Sequence, residues 1–139
     1  MIDFAFDINY WTVLSATIVW FVIGAVWYSP AMFSKQWITL TGKPMGGNMK
    51  KEDLWKIMVA SFIFSLIEAY ILAHFVALGQ AMTFMEGAKI GAWLGLGFVA
   101  MPFAIDFIYA GKSWKLYFIN VGYQLVGTII MAGILAQWS

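Results

Sequence analysis

The stretch "GAVWYSPAMFSKQW", Gly24–Trp37, decides how this chain folds. On its N-terminal side an uncharged apolar run reaches back to Tyr10. The run stops at Ser29-Pro30. Proline has no N–H to donate, and its ring clashes with the carbonyl four residues back. The residue before it is pushed out of the helical region as well. Past the break, Phe33, Trp37 and Leu40 recur at i, i+4 and i+7, with Ser34, Lys35 and Gln36 between them. That spacing predicts a short amphipathic helix over about residues 31–41, lying along a membrane surface. Trp27, Tyr28, Phe33 and Trp37 are then expected as interface anchors, because amphipathic rings collect at headgroup level. A competing expectation makes the same segment a gate over the inner mouth of a helix bundle.

Composition supports the membrane. The 139 residues are 63% hydrophobic, 19% aromatic and 11% charged, with mean hydropathy +0.81. A soluble domain is nearer half apolar and a quarter charged, and one of this size has no interior large enough to hide the excess. A bilayer is the solvent that fits. Cysteine is absent, which excludes disulfides, thiolate metal sites and cysteine nucleophiles. One histidine leaves no multi-histidine metal site within one chain, and no metal or cofactor is expected. All eight basic residues are lysine and the net charge is +1, so no basic stripe is present for nucleic acid. The opening "MIDFAFDINY" carries Asp3 and Asp7 where a secretory signal wants lysine or arginine. The first apolar run is therefore expected to be a retained helix.

Four runs are long enough to cross about 30 Å of hydrocarbon. They cover roughly 10–28, 54–78, 85–109 and 116–138. The expected fold is all-α: an integral membrane four-helix bundle forming a single domain, with a short interfacial helix after the first span. Asn9 is placed to cap the first helix, and Thr83-Phe-Met-Glu86 is a capping-box pattern for the third. Gly111 is placed to end the third helix and Ser113 to cap the fourth. Lys43–Met49, "KPMGGNM", reads as a turn before the second helix. Lys35, Lys43, Lys50, Lys51, Lys56, Lys112 and Lys115 fall in the first and third connections, and only Lys89 falls on the other side. Lysine-rich loops stay in the cytoplasm. Both termini and the turn at Gln80 are thus expected outside, in a bacterial inner membrane.

Ionisable groups inside a span are costly and usually face protein or water. Glu68 lies roughly 16 Å beyond Ile57, near mid-membrane, and shares a narrow helix face with Ser61 and Ser65. A carboxyl there needs a partner or a raised pKa, and Trp20, at mid-depth in the first helix, has an indole donor to offer. In the third helix, continuous α-helical spacing puts Gly91, Gly95, Pro102 and Asp106 within about 60° of one another. Gly87, Gly91 and Gly95 make a double small-xxx-small face for close helix packing. In the fourth helix Asn120, Gln124 and Gly127 share a face. The tight turn at Lys112 pairs Asp106 with Asn120 in depth, and Pro102 with Gln124. The expected pocket comprises Glu68, Asp106, Asn120, Gln124, Ser61, Ser65 and Trp20, all in the lysine-rich half. The bland alternative makes these side chains hydrogen-bonding glue between helices. His74 sits near the other end of its helix and reads as an interfacial histidine.

"GAVWYSPAMFSKQW" and "GKSWKLYFINVGYQLVGTIIMAGILAQW", with "GAWLGLGFVA" between them, resemble the signatures of the bacterial membrane family known as domain of unknown function 1761. The resemblance covers most of the chain apart from Lys43–Lys51 and the second helix. It implies a small four-helix inner-membrane protein and brings no established activity, substrate or catalytic residue. Such sequences often have histidine after the tyrosine where this chain has Gln124, so histidine-dependent chemistry is not expected here.

Two functions compete. One is binding or conduction of a small solute or protons through a cytoplasm-facing polar pocket around Glu68. The other is a structural or accessory subunit packing with itself, a dimer above all, or with a larger membrane complex. An enzyme ranks last, because no serine–histidine pair, metal cluster or phosphate loop is visible. The two differ in water: a conduit is hydrated at Glu68, and a packing subunit is dry there.

Overall fold

A computed structural model describes residues 5–43 and 49–139. Most of the turn expected at Lys43–Met49 lies outside the described residues, as does Asp3. The elements are α1 (Tyr10–Trp27), α2 (Ser34–Thr41), α3 (Lys51–Leu78), α4 (Phe84–Gly95), a π-helical turn (Leu96–Ala100), α5 (Met101–Ala110) and α6 (Trp114–Gln137). No strand occurs among the described residues. Through the π turn, α4 and α5 run on as one span, Phe84–Ala110, so four helices are long and apolar enough to cross a membrane. These are the four expected spans, with α2 as the short helix after the first.

The helix ends follow from their caps. Asn9 accepts from the backbone N–H groups of Trp11 and Thr12. Thr83 accepts from the N–H of Glu86, whose carboxylate in turn accepts from the N–H of Met82. Ser113 accepts from the N–H of Lys115. Each satisfies a donor that the first turn leaves orphaned. Gly111 ends α5 in the left-handed region at φ 67°, where a Cβ would be strained.

The central helix is α6. It touches α1, α3, α4 and α5, and α2 as well. Towards the termini the core joins Val13, Ala16 and Trp20 of α1, Ala69, Leu72, Ala73 and Val76 of α3, and Met131, Ala132, Leu135 and Ala136 of α6. The start of α1 and the end of α6 meet there, since the carbonyl of Trp138 accepts from both Asn9 and Thr12. Towards the lysine-rich connections a second core joins Ala100 and Phe107 to Leu116, Tyr117 and Val121, with Trp37 and Leu40 of α2 packed on it.

Glycine sets the closest approach. At Gly91 an added Cβ would lie 2.7 Å from the carbonyl oxygen of Thr128, and at Gly87 2.6 Å from the Cβ of Ala136. At Gly95 it would lie 2.9 Å from the Leu125 side chain. The small-xxx-small face is thus spent on α6 within one chain. Gly127 is spent too, because the Trp20 ring packs directly against it.

One sequence expectation fails in a definite way. Uninterrupted spacing placed Pro102 and Asp106 on the face of Gly91 and Gly95. The π turn takes in an extra residue, which rotates everything after it by about 100°. Beyond it Ala100, Ala104 and Phe107 face α6, while Pro102 and Asp106 face outward. Pro102 explains where the turn sits. It has no N–H for the carbonyl of Phe98, and its ring pushes that carbonyl away.

Candidate functional site

Between the two apolar cores lies a polar band. Glu68, half-buried on α3, accepts a long 3.4 Å hydrogen bond from the Thr128 hydroxyl of α6. Trp20 is not its donor. The Trp20 ring packs on Tyr123 at 4.7 Å between centroids, and its backbone carbonyl accepts from the Tyr123 hydroxyl at 3.0 Å. Tyr123 also meets the Tyr28 ring edge-on at 5.5 Å between centroids. Ser65 does not reach Glu68 either. Its hydroxyl turns back along α3 to the Ser61 carbonyl at 2.6 Å, so Ser65 is satisfied inside the helix.

Asn120, Gln124, Met131 and Leu135 form one stripe of α6, within about 60°. Met131 and Leu135 bury that stripe against α3. Nearer the lysine end α3 stands off. All its buried residues lie between Ser65 and Val76, while Trp55, Ile57, Met58, Ile63 and Phe64 are exposed. With α3 withdrawn, the stripe at Asn120 and Gln124 borders a cavity of about 350 Å³. Its walls are Tyr28 at the end of α1, Trp37 of α2, Phe103 of α5, and Tyr123 with the two amides of α6. The Tyr28 hydroxyl donates to Asn120 Oδ1 at 2.9 Å, which orients that amide and leaves its N–H groups available. Gln124 adds a second amide one turn further in. One more turn along α6 comes Thr128, which holds Glu68.

The expected anchors turn inward. Trp27 presses its ring on Gly122 and donates from Nε1 to the Ile119 carbonyl at 2.9 Å. Phe33 packs on Trp27 at 5.1 Å between centroids. Tyr28 is held by Asn120, and Trp37 lines the cavity. All four are half-buried against protein. An indole or phenol donor sheltered from water needs an acceptor, and the glycine at 122 lets α6 supply one. Asp106 departs from the expected pocket. It is exposed and pairs with Lys112 at 3.9 Å, the neighbour that also lies over the Phe107 ring.

A second hollow of about 360 Å³ opens at the other end, between the segment before α1 and the ends of α3 and α6. Of its polar wall residues, Asn9 and Thr12 are committed to the Trp138 carbonyl, and Asp7, Gln80 and Ser139 line it as well. His74 is near it, with Nδ1 at 2.8 Å from the Tyr70 carbonyl and its ring edge-on to Tyr70 and Phe6. Among the described residues no cluster of histidine and carboxylate has the makings of a metal site.

The description "Protein of unknown function (DUF1761)" matches residues 11–136. The chain belongs to the DUF1761 family. No curated protein and no solved structure matches it. In this DUF1761 protein the two long motifs supply nearly the whole site: Tyr28 and Trp37 from the first, and Asn120, Tyr123, Gln124 and Thr128 from the second. Sequence reasoning missed Tyr123, Thr128 and Phe103 as site residues. For Tyr123 a cue existed, since a phenol in mid-span needs a hydrogen-bond partner. Phe103 had none, because its direction depends on the π turn.

Proposed function

We propose that this DUF1761 protein is a small inner-membrane binding protein or conduit. It holds a polar or charged solute in the cavity between α1, α2, α5 and α6. The observation that carries the reading is the cavity's position. Two amides with available donors border it where α3 leaves the bundle, and a mid-span carboxylate stands one turn further in. Pockets of a few hundred Å³ with few polar groups on an apolar wall are the usual form of solute sites. Asn120 and Gln124 orient the solute, and Glu68 supplies charge. The lysine count puts the cavity on the cytoplasmic side and both termini outside. The site is proposed to bind or pass its solute without chemical change.

The accessory-subunit reading draws on the exposed apolar half of α3, the surface left for a second copy or a larger complex once the glycine faces are used inside the chain. Water discriminates. The chain has no cysteine, so Gln124→Cys gives a single thiol on a clean background. A charged, membrane-impermeant thiol reagent applied to inverted vesicles should label it quickly, and the same reagent applied to intact spheroplasts should not. No labelling from either side, in a protein that still melts cooperatively, makes the cavity dry and favours the packing role.

A further inference from the structure

Resting on that reading, the structure also narrows the solute class. We infer that the cavity takes a small organic cation with apolar substituents, an amine or a quaternary ammonium. Four of its walls are aromatic: Tyr28, Trp37, Phe103 and Tyr123. Ring faces carry negative charge density and attract cations, most strongly where water is excluded. No lysine lines the cavity. Two lysines at this end of the bundle are engaged elsewhere. Lys112 pairs with Asp106, and Lys115 borders a separate hollow with Phe33, Gln36 and Phe118. Behind the wall stands Glu68, held by Thr128 one turn of α6 beyond Gln124. Among the described residues the ion pair at Asp106 is the one formed, so Glu68 has a hydroxyl for company and no cation.

A carboxylate without a counter-charge in a membrane span is expensive. A bound cation relieves that cost, which a neutral molecule of the same shape does not, and an anion adds to it. Gln124 offers its amide carbonyl oxygen to an ammonium N–H, Asn120 Oδ1 offers only the lone pair that the Tyr28 hydroxyl leaves, and to a quaternary nitrogen both offer dipoles alone. The apolar substituents are required by the ring walls, which a hydrated inorganic ion would not wet. A volume of about 350 Å³ admits a cation the size of benzyltrimethylammonium.

The test uses the purified full chain in lipid nanodiscs and three probes of one shape. Benzyltrimethylammonium is the cation, neopentylbenzene its neutral isostere, and phenylmethanesulfonate the anion. Equilibrium dialysis reads binding, with empty nanodiscs subtracted. The cation should bind at least tenfold more tightly than the neutral probe, and the anion least. Glu68→Gln should bring cation and neutral probe to within threefold of each other. Trp37→Ala, a change outside the buried cores, should weaken both. Thermal melts of each variant check that it is folded. Equal binding of cation and neutral probe, or preference for the anion, overturns the cation assignment and leaves the cavity as a solute site. A cation preference that survives both substitutions places binding elsewhere and overturns it too. No binding of any probe by folded protein overturns the assignment, and Gln124→Cys labelling then decides separately whether the cavity is a solute site at all.

Discussion

Gly91→Ala tests the packing that holds α4 on α6. The new Cβ would lie 2.7 Å from the Thr128 carbonyl oxygen, 2.8 Å from the Ala132 Cβ and 2.9 Å from the Ile129 Cα. Two of these neighbours are backbone atoms of a helix, and none is the end of a flexible side chain. Ordinary contact begins at 3.4 Å, so the helices would have to separate by roughly 0.7 Å at this point, a gap that forfeits a quarter to a half of the dispersion attraction it crosses. Between membrane helices packing carries most of the attraction, because lipid is as apolar as the side chains. Overpacking of this kind costs about 1–3 kcal/mol. Gly97→Ala, on the same span, is the matched control. A Cβ there meets nothing within 4 Å, and alanine is the better helix former by up to about 1 kcal/mol. Both variants would be unfolded by sodium dodecyl sulfate in mixed micelles, followed by far-ultraviolet circular dichroism. The expected result is a clear loss for Gly91→Ala and none for Gly97→Ala. Equal losses, or a Gly91→Ala protein as stable as the parent, would show that α4 and α6 are not in backbone contact.

Other expectations bear on the turn, the surface and the orientation. Tyr117→Phe removes the buried hydroxyl that donates to the Ala100 carbonyl at 2.7 Å, and should cost about 1 kcal/mol in the same unfolding titration; an unchanged midpoint would mean another donor serves that carbonyl. Asp106→Asn breaks an exposed 3.9 Å pair, so stability should change by less than about 1 kcal/mol. Labelling of Gln124→Cys should not change in that background, and a large loss in either assay would put Asp106 back inside the bundle. A reporter active only in the cytoplasm, fused after Ser139, should stay silent, and a strong signal would reverse the proposed topology.

The sequence alone determined the solvent, the number of spans and most of their ends. These are short-range matters. An apolar run of about 20 residues has to satisfy its backbone internally in lipid, which means a helix. Caps such as Asn9, Thr83 and Ser113 act within one turn, and proline at 30 stops a span by its own covalent structure. The sequence also identified Glu68, Asn120 and Gln124 as polar groups in apolar surroundings, and Gly87, Gly91 and Gly95 as a packing face. Only the tertiary structure decided what those groups meet. The π turn before Pro102 rotated Asp106 out of the expected pocket and Phe103 into the cavity wall, because one inserted residue changes the phase of everything beyond it. Trp27 and Tyr28 find their acceptors on α6, a carbonyl and an amide each 92 residues away in sequence. The cavity itself depends on where α3 parts from α6. That separation is a balance of packing along two helices far apart in sequence, so no local pattern in the sequence records it.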